Sequence, residues 1–317
     1  MPRILLVRLS SMGDIIHNLP AVSDLVAHLP DARLDWVVEE GFAELPRLHP
    51  AIDRIIPIAM RRWRRSLMKA ETRQEIATLR RTLRETHYDL VLDSQCLIKS
   101  AIVARAAGAP VYGMDWPSSR EHLASLFYQR RFSAPWSLHA VERYRLLSAS
   151  AFDYKAVGPV NYGLTPPALV QAWRPSGPYA VLLTATSRDD KLWPEEDWIA
   201  LGQLLHADGL AVVLPWGSAK ERERAERIAG VLPNATVAPR MSLTEGARLL
   251  ADAKVAVGVD TGLAHLAAAV GVPVVAIYTS TDPNATGVLA ASRAVNLGGI
   301  GQCPTVVAVH KAVAAWL

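Results

Sequence analysis

Short apolar runs alternate with amphipathic helical patterns along this chain, and the alternation occurs twice, on either side of a proline-rich stretch. That rhythm restricts the fold more than any other feature. Apolar runs bounded by turn residues read as buried strands, and strands alternating with helices at this spacing build βαβ units around a parallel sheet. In the first half the runs are "RILLVRL", "LDWVVE", "RIIPI", "YDLVLDS" and "VYGMD", with helical patterns over 14–28, 70–86, 99–107, 118–128 and 139–151. "VGPVNYGLTPPALVQAWRPSGPY" then interrupts with five prolines and three glycines and reads as a linker. After it, "YAVLLTAT", "LAVVLPWG", "TVAPR", "VAVGVD" and "VPVVAIY" alternate with helices over 195–207, 219–230, 242–252 and 263–270. "TVVAVHKAVAAWL" closes the chain as a helix. The expectation is an α/β protein of two Rossmann-like domains, 1–165 and 166–317, facing across a cleft, with the closing helix free to pack back on the first domain.

Doubly wound sheets bind ligands beyond the carboxyl ends of their strands. The residues that follow each run are therefore the candidates for chemistry. In "VRLSSMGDIIHNLP" the strand ends near Leu9 and the helical pattern begins at Asp14. Unpaired N–H groups and the helix dipole make such a start welcoming to a phosphate, yet the chain places its own carboxylate there. Asp14 either caps the helix or stands in the cleft as a proton acceptor; the residue type fits both.

Charge separates the two halves. Residues 1–165 hold 22 Lys and Arg against 17 Asp and Glu, and the remainder 12 against 13. Much of the surplus lies in "MRRWRRSLMKAETRQEIATLRRTLRE", where Arg61, Arg62, Arg64 and Arg65 surround Trp63. Such a run is either a solvated basic face or a patch for an anionic partner such as nucleic acid, anionic lipid or an acidic sugar. No apolar run approaches the roughly 18–20 residues of a membrane span, and no secretory leader is evident. Cys96 and Cys303 lie far apart without CxxC spacing, so a reduced cytoplasmic protein with neither disulfides nor a zinc site is expected.

In the second half, "VAVGVDTGLAHLAAAVGVPVV" ends a strand at Asp260 and opens a helix with Thr261 and Gly262, small residues that let backbone N–H groups approach an anion. His265 follows about one turn later. Each of these residues also has an ordinary structural reading, as a cap or a packed histidine. A single DTG triplet between a strand and a helix does not make an aspartic protease, which needs two carboxylates sharing a proton. "TATSRDDKLWPEEDW" places Thr186 and Ser187 at a strand end with Lys191 within reach, suited to neutralising a diphosphate leaving group. Glu221, in "LPWGSAKERERAE", suits ribose hydroxyls or simply the first turn of its helix. Neither domain carries GxGxxG after its first strand, and GxxxxGK[ST] is absent, which weighs against dinucleotide oxidoreductases and P-loop NTPases. "RDDK" has adjacent acids rather than D-x-D, so no divalent metal is demanded.

Nine stretches together resemble the lipopolysaccharide heptosyltransferase I family, inverting glycosyltransferases of GT-B architecture that use ADP-heptose. They are "SSMGDIIHNLPA", "DWVVEEGFAELP", "IPIAMRRWRR", "GMDWPSSREHLASLFYQRR", "HAVERYR", "DDKLWPEEDW", "LPWGSAKERERA", "MSLTEGARLLA" and "VDTGLAHLAAA". The likeness covers nearly the whole chain and fades from about residue 285; Ser280 stands in "YTSTDP" where the family usually has proline.

The resemblance implies transfer of L-glycero-D-manno-heptose from ADP-heptose to the first Kdo of Kdo2-lipid A in the lipopolysaccharide inner core. It gives Asp14 the role of catalytic base and Lys191 that of stabilising the departing ADP. Thr186, Ser187, Lys191, Glu221, Met241, Asp260, Thr261, Gly262 and His265 are the implied donor-binding residues. Ser11, Gly13, Arg61, Arg62, Arg64, Arg120, His139 and Arg143 are implied on the acceptor side, with Lys99 a further candidate. Kdo carboxylates and lipid A phosphates would explain those cations. No cofactor or metal and no nucleic acid is implied. A monomeric, cytoplasmic enzyme attached peripherally to the inner membrane of a Gram-negative bacterium is expected, with an exposed Trp63 assisting. The alternatives are a sugar-nucleotide epimerase or hydrolase of the same architecture, a family member acting later in the core, and a nucleic-acid-binding module.

Overall fold

The computed structural model describes residues 1–290 and 293–317 and divides into two compact units, Met1–Gly163 and Leu164–Leu317. In the first unit the strands are β1 (Arg3–Val7), β2 (Arg33–Glu39), β3 (Ile52–Ile58), β4 (Leu90–Asp93), β5 (Val111–Met114) and β6 (Arg130–Phe132). They form one parallel sheet in the order β3-β2-β1-β4-β5-β6. The helices are α1 (Met12–His28), α2 (Glu44–Arg47), α3 (Met60–Trp63), α4 (Ala70–Glu85), α5 (Ile98–Ala106) and α6 (Ala140–Phe152). Ile4, Leu5 and Val7 of β1 are fully buried, as a central parallel strand covered on both faces requires. Helices α1 and α6 pack along each other.

The second unit repeats the plan. Strands β7 (Tyr179–Leu183), β8 (Ala211–Leu214), β9 (Ala235–Val237), β10 (Val255–Val259), β11 (Val274–Tyr278) and β12 (Ala294–Gly298) lie in the order β12-β11-β10-β7-β8-β9, all parallel. The helices are α7 (Glu195–Ala207), α8 (Ala219–Ala229), α9 (Leu243–Ala251), α10 (Gly262–Ala269), α11 (Pro283–Thr286) and α12 (Val306–Ala314). Trp193 and, on α7, Trp198 are fully buried edge to face, ring centroids 5.0 Å apart. Burying each such ring contributes on the order of 4 kcal/mol. The closing helix α12 packs on α7 and β11, with Val309 and Val313 fully buried in the core of the second unit.

Both sheets therefore reverse their strand order at one place, between β1 and β4 and between β7 and β10. The crevice at the carboxyl end of that reversal is where open α/β sheets hold ligands. Asp14 follows β1, and Asp260 follows β10.

Three expectations need correction. The pattern over 118–128 does not form an α-helix but a 3-10 helix, His122–Phe127, preceded by turns. Ser119 Oγ donates to Met114 O at 3.0 Å and Ser118 N–H to Asp115 Oδ1 at 3.1 Å, local bonds that compete with helical ones. Strands β6 and β12, "RRF" and "AVNLG", lack the apolar run that marks their neighbours. Trp63 is 5% exposed rather than open to solvent, because its indole lies against α4 and donates to Glu75 Oε2 at 2.5 Å.

Candidate active site

Asp14 sits in the first turn of α1, the third residue after its N-cap Ser11. Ser11 N–H and Oγ both donate to Asp14 Oδ2, at 3.1 and 3.0 Å. The other oxygen, Oδ1, faces Arg8 Nη2 at 2.8 Å and Tyr144 OH at 3.4 Å. Arg8 is 4% exposed and held through both terminal nitrogens. Nη1 donates to Ser94 O at 2.6 Å, Nη2 donates to Tyr144 OH, and the guanidinium lies over the Tyr144 ring, 4.4 Å from its centroid. Burial works against the Asp14 charge, but Arg8 and then the Ser11 N–H outweigh it and draw the carboxyl down to about pKa 2. The capping reading of Asp14 is thus correct as far as it goes. It omits a buried cation that, among the described residues, pairs with no other carboxylate.

Arg8 and Tyr144 escaped the sequence reading. One signal was available: an arginine between Val7 and Leu9, inside an apolar run, must find a buried partner. Behind it, β4 ends on the fully buried Asp93, which accepts from Tyr128 OH and Ser100 Oγ, each at 2.8 Å, and from the backbone of Gln95. Gln95 Oε1 in turn accepts from Leu9 N–H at 2.6 Å. The β1 and β4 ends are locked together at the strand reversal.

The basic residues follow the same carboxyl edge, after β3, β4 and β5. Arg61, Arg64 and Arg120 are exposed. Arg61 N–H donates to the buried Glu39 at 2.9 Å, and its guanidinium lies over Phe42. Lys99, at the start of α5, has its pKa lowered first by burial and then by the nearby Arg64, with Arg61 adding to it. Guanidinium groups close enough to disfavour the Lys99 charge create the positive potential an anionic ligand needs. Arg62 and Arg143 are engaged within the chain. Arg62 pairs with Glu40 and Glu75 at 3.3 and 3.0 Å. Arg143, 4% exposed, donates to Ala134 O and Ser118 O and stacks on Trp136 at 3.5 Å, pinning the 115–136 loop. His139 caps α6, accepting from Val141 N–H at 3.2 Å, and its ring meets His17 edge-on. Gly13 lies in the first turn of α1 beside Asp14.

In the second unit, Lys191 Nζ and Asp260 Oδ2 are 2.6 Å apart and largely buried, 16% and 13% exposed. Thr281 Oγ1 donates to the same Oδ2 at 2.8 Å, and Thr186 Oγ1 to Asp260 O at 2.8 Å. Asp260 therefore organises lysine and hydroxyls around the start of α10. Thr261 is the N-cap there, with its side chain not closing the cap, and Gly262 is the first helical residue. N–H groups at a helix start have no partner within the helix and suit an anion. His265 is buried on the same helix, 6% exposed. Thr186, Ser187 and Glu221 line one hollow of about 270 Å³ beyond the ends of β7 and β8. Glu221 Oε2 accepts from Gly217 N–H at 2.7 Å and Ser218 N–H at 3.1 Å, closing a capping box. Met241 lies apart from these, its sulfur 3.9 Å from Gln171 Nε2. Among the described residues, no three His, Cys, Asp or Glu side chains gather as a metal ion would require.

Comparison with known proteins accords with this geometry. The model of glycosyltransferase family 9 (heptosyltransferase) matches residues 76–313. Lipopolysaccharide heptosyltransferase 1 of Pseudomonas aeruginosa is 48% identical over 305 residues, 95% of this chain and 85% of that protein. Structures of the E. coli heptosyltransferase WaaC with ADP and with ADP-2-deoxy-2-fluoro heptose superpose with TM-scores of 0.91 and 0.88, both at 41% identity. Each alignment covers 99% of this chain, and 100% and 99% of the respective WaaC chains. The chain belongs to glycosyltransferase family 9, the heptosyltransferases, and is a glycosyltransferase.

Proposed function

We propose that this enzyme transfers L-glycero-D-manno-heptose from ADP-heptose to the first Kdo of Kdo2-lipid A, inverting the anomeric centre. The observation that carries the reading is the Asp14 carboxylate, held ionised by Arg8 and Ser11 at the strand reversal of the first unit. As the acceptor oxygen bonds to the anomeric carbon, its proton passes to Asp14. The bond from that carbon to the diphosphate oxygen breaks, and the charge leaving with ADP is met by Lys191 and the opening N–H groups of α10. Asp260 positions Lys191 and accepts from the Thr186 and Thr281 hydroxyls, and Ser187 lies with Thr186 in the adjoining hollow. Glu221 takes the ribose hydroxyls through Oε1, Met241 packs near the adenine, and His265 supports the helix start.

Ser11 and Gly13 place the base against the acceptor, and Arg61, Arg64, Lys99 and Arg120 receive its carboxylates and phosphates. Arg62, His139 and Arg143 hold the walls of that acceptor site. The enzyme works as a monomer on the cytoplasmic side of the inner membrane of a Gram-negative bacterium, needing no metal. The names of the relatives and the nucleotides bound in the WaaC structures support this assignment. Among the described residues, no helix is long and apolar enough to cross a membrane.

The direct test is ADP release from ADP-heptose with and without heptose-free Kdo2-lipid A. Release that needs the acceptor is expected; equal release without it would make the protein a hydrolase. Changing Arg61 and Arg64 together to alanine should raise the acceptor KM about tenfold or more while moving kcat little, because each charge-assisted bond is worth about 1.5–3 kcal/mol. An unchanged acceptor KM would remove the pair from the site.

Arg8 gives a pH prediction. With Arg8 present, Asp14 stays ionised down to about its pKa of 2, so acid activity should not be limited by this group. In Arg8→Met the strongest influence opposing burial is lost, leaving the Ser11 hydrogen bonds and His17 against it, so the Asp14 pKa rises from about 2. An acid limb should then appear in the kcat/KM profile, activity falling as pH drops through the raised value. Superimposable profiles for the two proteins would contradict the role given to Arg8.

A further inference from the structure

Between β5 and α6 the first unit exposes large apolar side chains that its core does not use. Trp116 is 47% exposed, Leu123 52%, Leu126 59% and Trp136 54%, with Phe127 beside them. They form one patch. The Trp116 ring stacks on His122, centroids 5.5 Å apart, and Trp136 Nε1 donates to Pro117 O at 3.0 Å, so both indoles belong to the same loop. Leu123, Leu126 and Phe127 project from the 3-10 helix, which packs on α5, where Ile102 is also exposed. Monomeric proteins rarely leave so many large apolar groups together without a partner.

The charge around the patch identifies the partner. From residue 99 to 136 the chain has five basic residues, Lys99, Arg105, Arg120, Arg130 and Arg131, against two acids, Asp115 and Glu121. Both acids bind backbone N–H groups, Asp115 that of Ser118 and Glu121 that of Ile98. Arg105, Arg120, Arg130 and Arg131 are exposed. Leucine and tryptophan tips bordered by arginines match the boundary between acyl chains and anionic headgroups, and lasting attachment needs both signals.

We propose that the surface formed by Trp116, Leu123, Leu126, Phe127 and Trp136, with its flanking arginines, seats this enzyme on an anionic bilayer. The proposal rests on the lipid-acceptor reading and names the part of the chain that meets the lipid. It also accounts for the 3-10 helix where the sequence pattern suggests an α-helix: the short segment turns its apolar side outward.

The test is flotation with vesicles of phosphatidylethanolamine and phosphatidylglycerol, comparing the full chain with Leu123→Ser/Leu126→Ser. Neither leucine has a place in the active site, and both are more than half exposed, so folding should be kept. The double variant should bind vesicles about tenfold or more weakly, while its turnover on a water-soluble Kdo acceptor without acyl chains stays at the wild-type value. Wild-type binding should also weaken in high salt and on phosphatidylcholine vesicles. Equal vesicle binding by both proteins would overturn this surface. Failure of the wild-type chain to bind vesicles would overturn membrane attachment as a whole, and soluble-acceptor turnover would still report separately on heptosyl transfer. Concentration-dependent self-association abolished by the two substitutions would instead assign the patch to a second copy of the chain and overturn the proposal.

Discussion

Asp14→Asn is expected to lower kcat about a thousandfold, the middle of the range for loss of a general base. The KM for ADP-heptose should stay within about threefold of wild type, since every donor contact proposed here lies in the second unit. Asparagine keeps the shape of the side chain. Its amide oxygen can still accept from Arg8 or from Ser11, so the start of α1 survives. Arg8 loses its counter-ion but keeps Ser94 O and Tyr144 OH. The folded protein should therefore be recoverable, and a thermal melt will separate a chemical effect from a structural one. Full turnover in a folded Asp14→Asn protein would end the assignment of the base.

Lys191→Ala is the other large effect. Lys191 is the cation paired with Asp260 at the start of α10, and in the proposed reaction it meets the diphosphate as its charge grows. Removing one such electrostatic donor costs about a hundredfold to a thousandfold in kcat. The donor KM should rise as well, because the ground-state diphosphate is already anionic. The substitution also leaves the Asp260 carboxylate, 13% exposed, with Thr281 as its remaining side-chain donor, so the start of α10 becomes less welcoming to an anion. Comparing Lys191→Ala with Lys191→Ala/Asp260→Asn separates the lost cation from the stranded carboxylate. If repulsion by Asp260 dominates, the double variant recovers part of the donor KM. Normal donor kinetics in Lys191→Ala would take the residue out of the site.

The parts of the fold legible in the sequence are those encoded by local pattern. Strands β1, β7 and β10 are contiguous apolar runs because both their faces are covered, and α8 shows its Ser218–Glu221 capping box plainly. Strands β6 and β12 were hidden because edge strands need no apolar run on both faces. The 118–128 segment misled because its apolar spacing fits a helix, whereas Ser118 and Ser119 spend their hydrogen bonds on the preceding turn. Trp63 misled in the opposite way: its arginine neighbours suggest solvent, but Glu75 on α4 draws the indole inward. The site was legible through motif resemblance and through its position after strand ends. What no local pattern could give is the pairing across long separations. Tyr144 meets Asp14 from 130 residues away, and Lys191 meets Asp260 from 69. Those contacts hold a capping aspartate ionised and make a loop lysine half of an organised pair.

In the proposed reaction the chemistry is divided between the units, proton removal in the first and diphosphate departure in the second. Calorimetric titration of ADP into Asp14→Asn and into Lys191→Ala tests that division most directly. The prediction is wild-type ADP affinity in Asp14→Asn and affinity lowered about tenfold or more in Lys191→Ala. ADP binding lost in Asp14→Asn and intact in Lys191→Ala would contradict it.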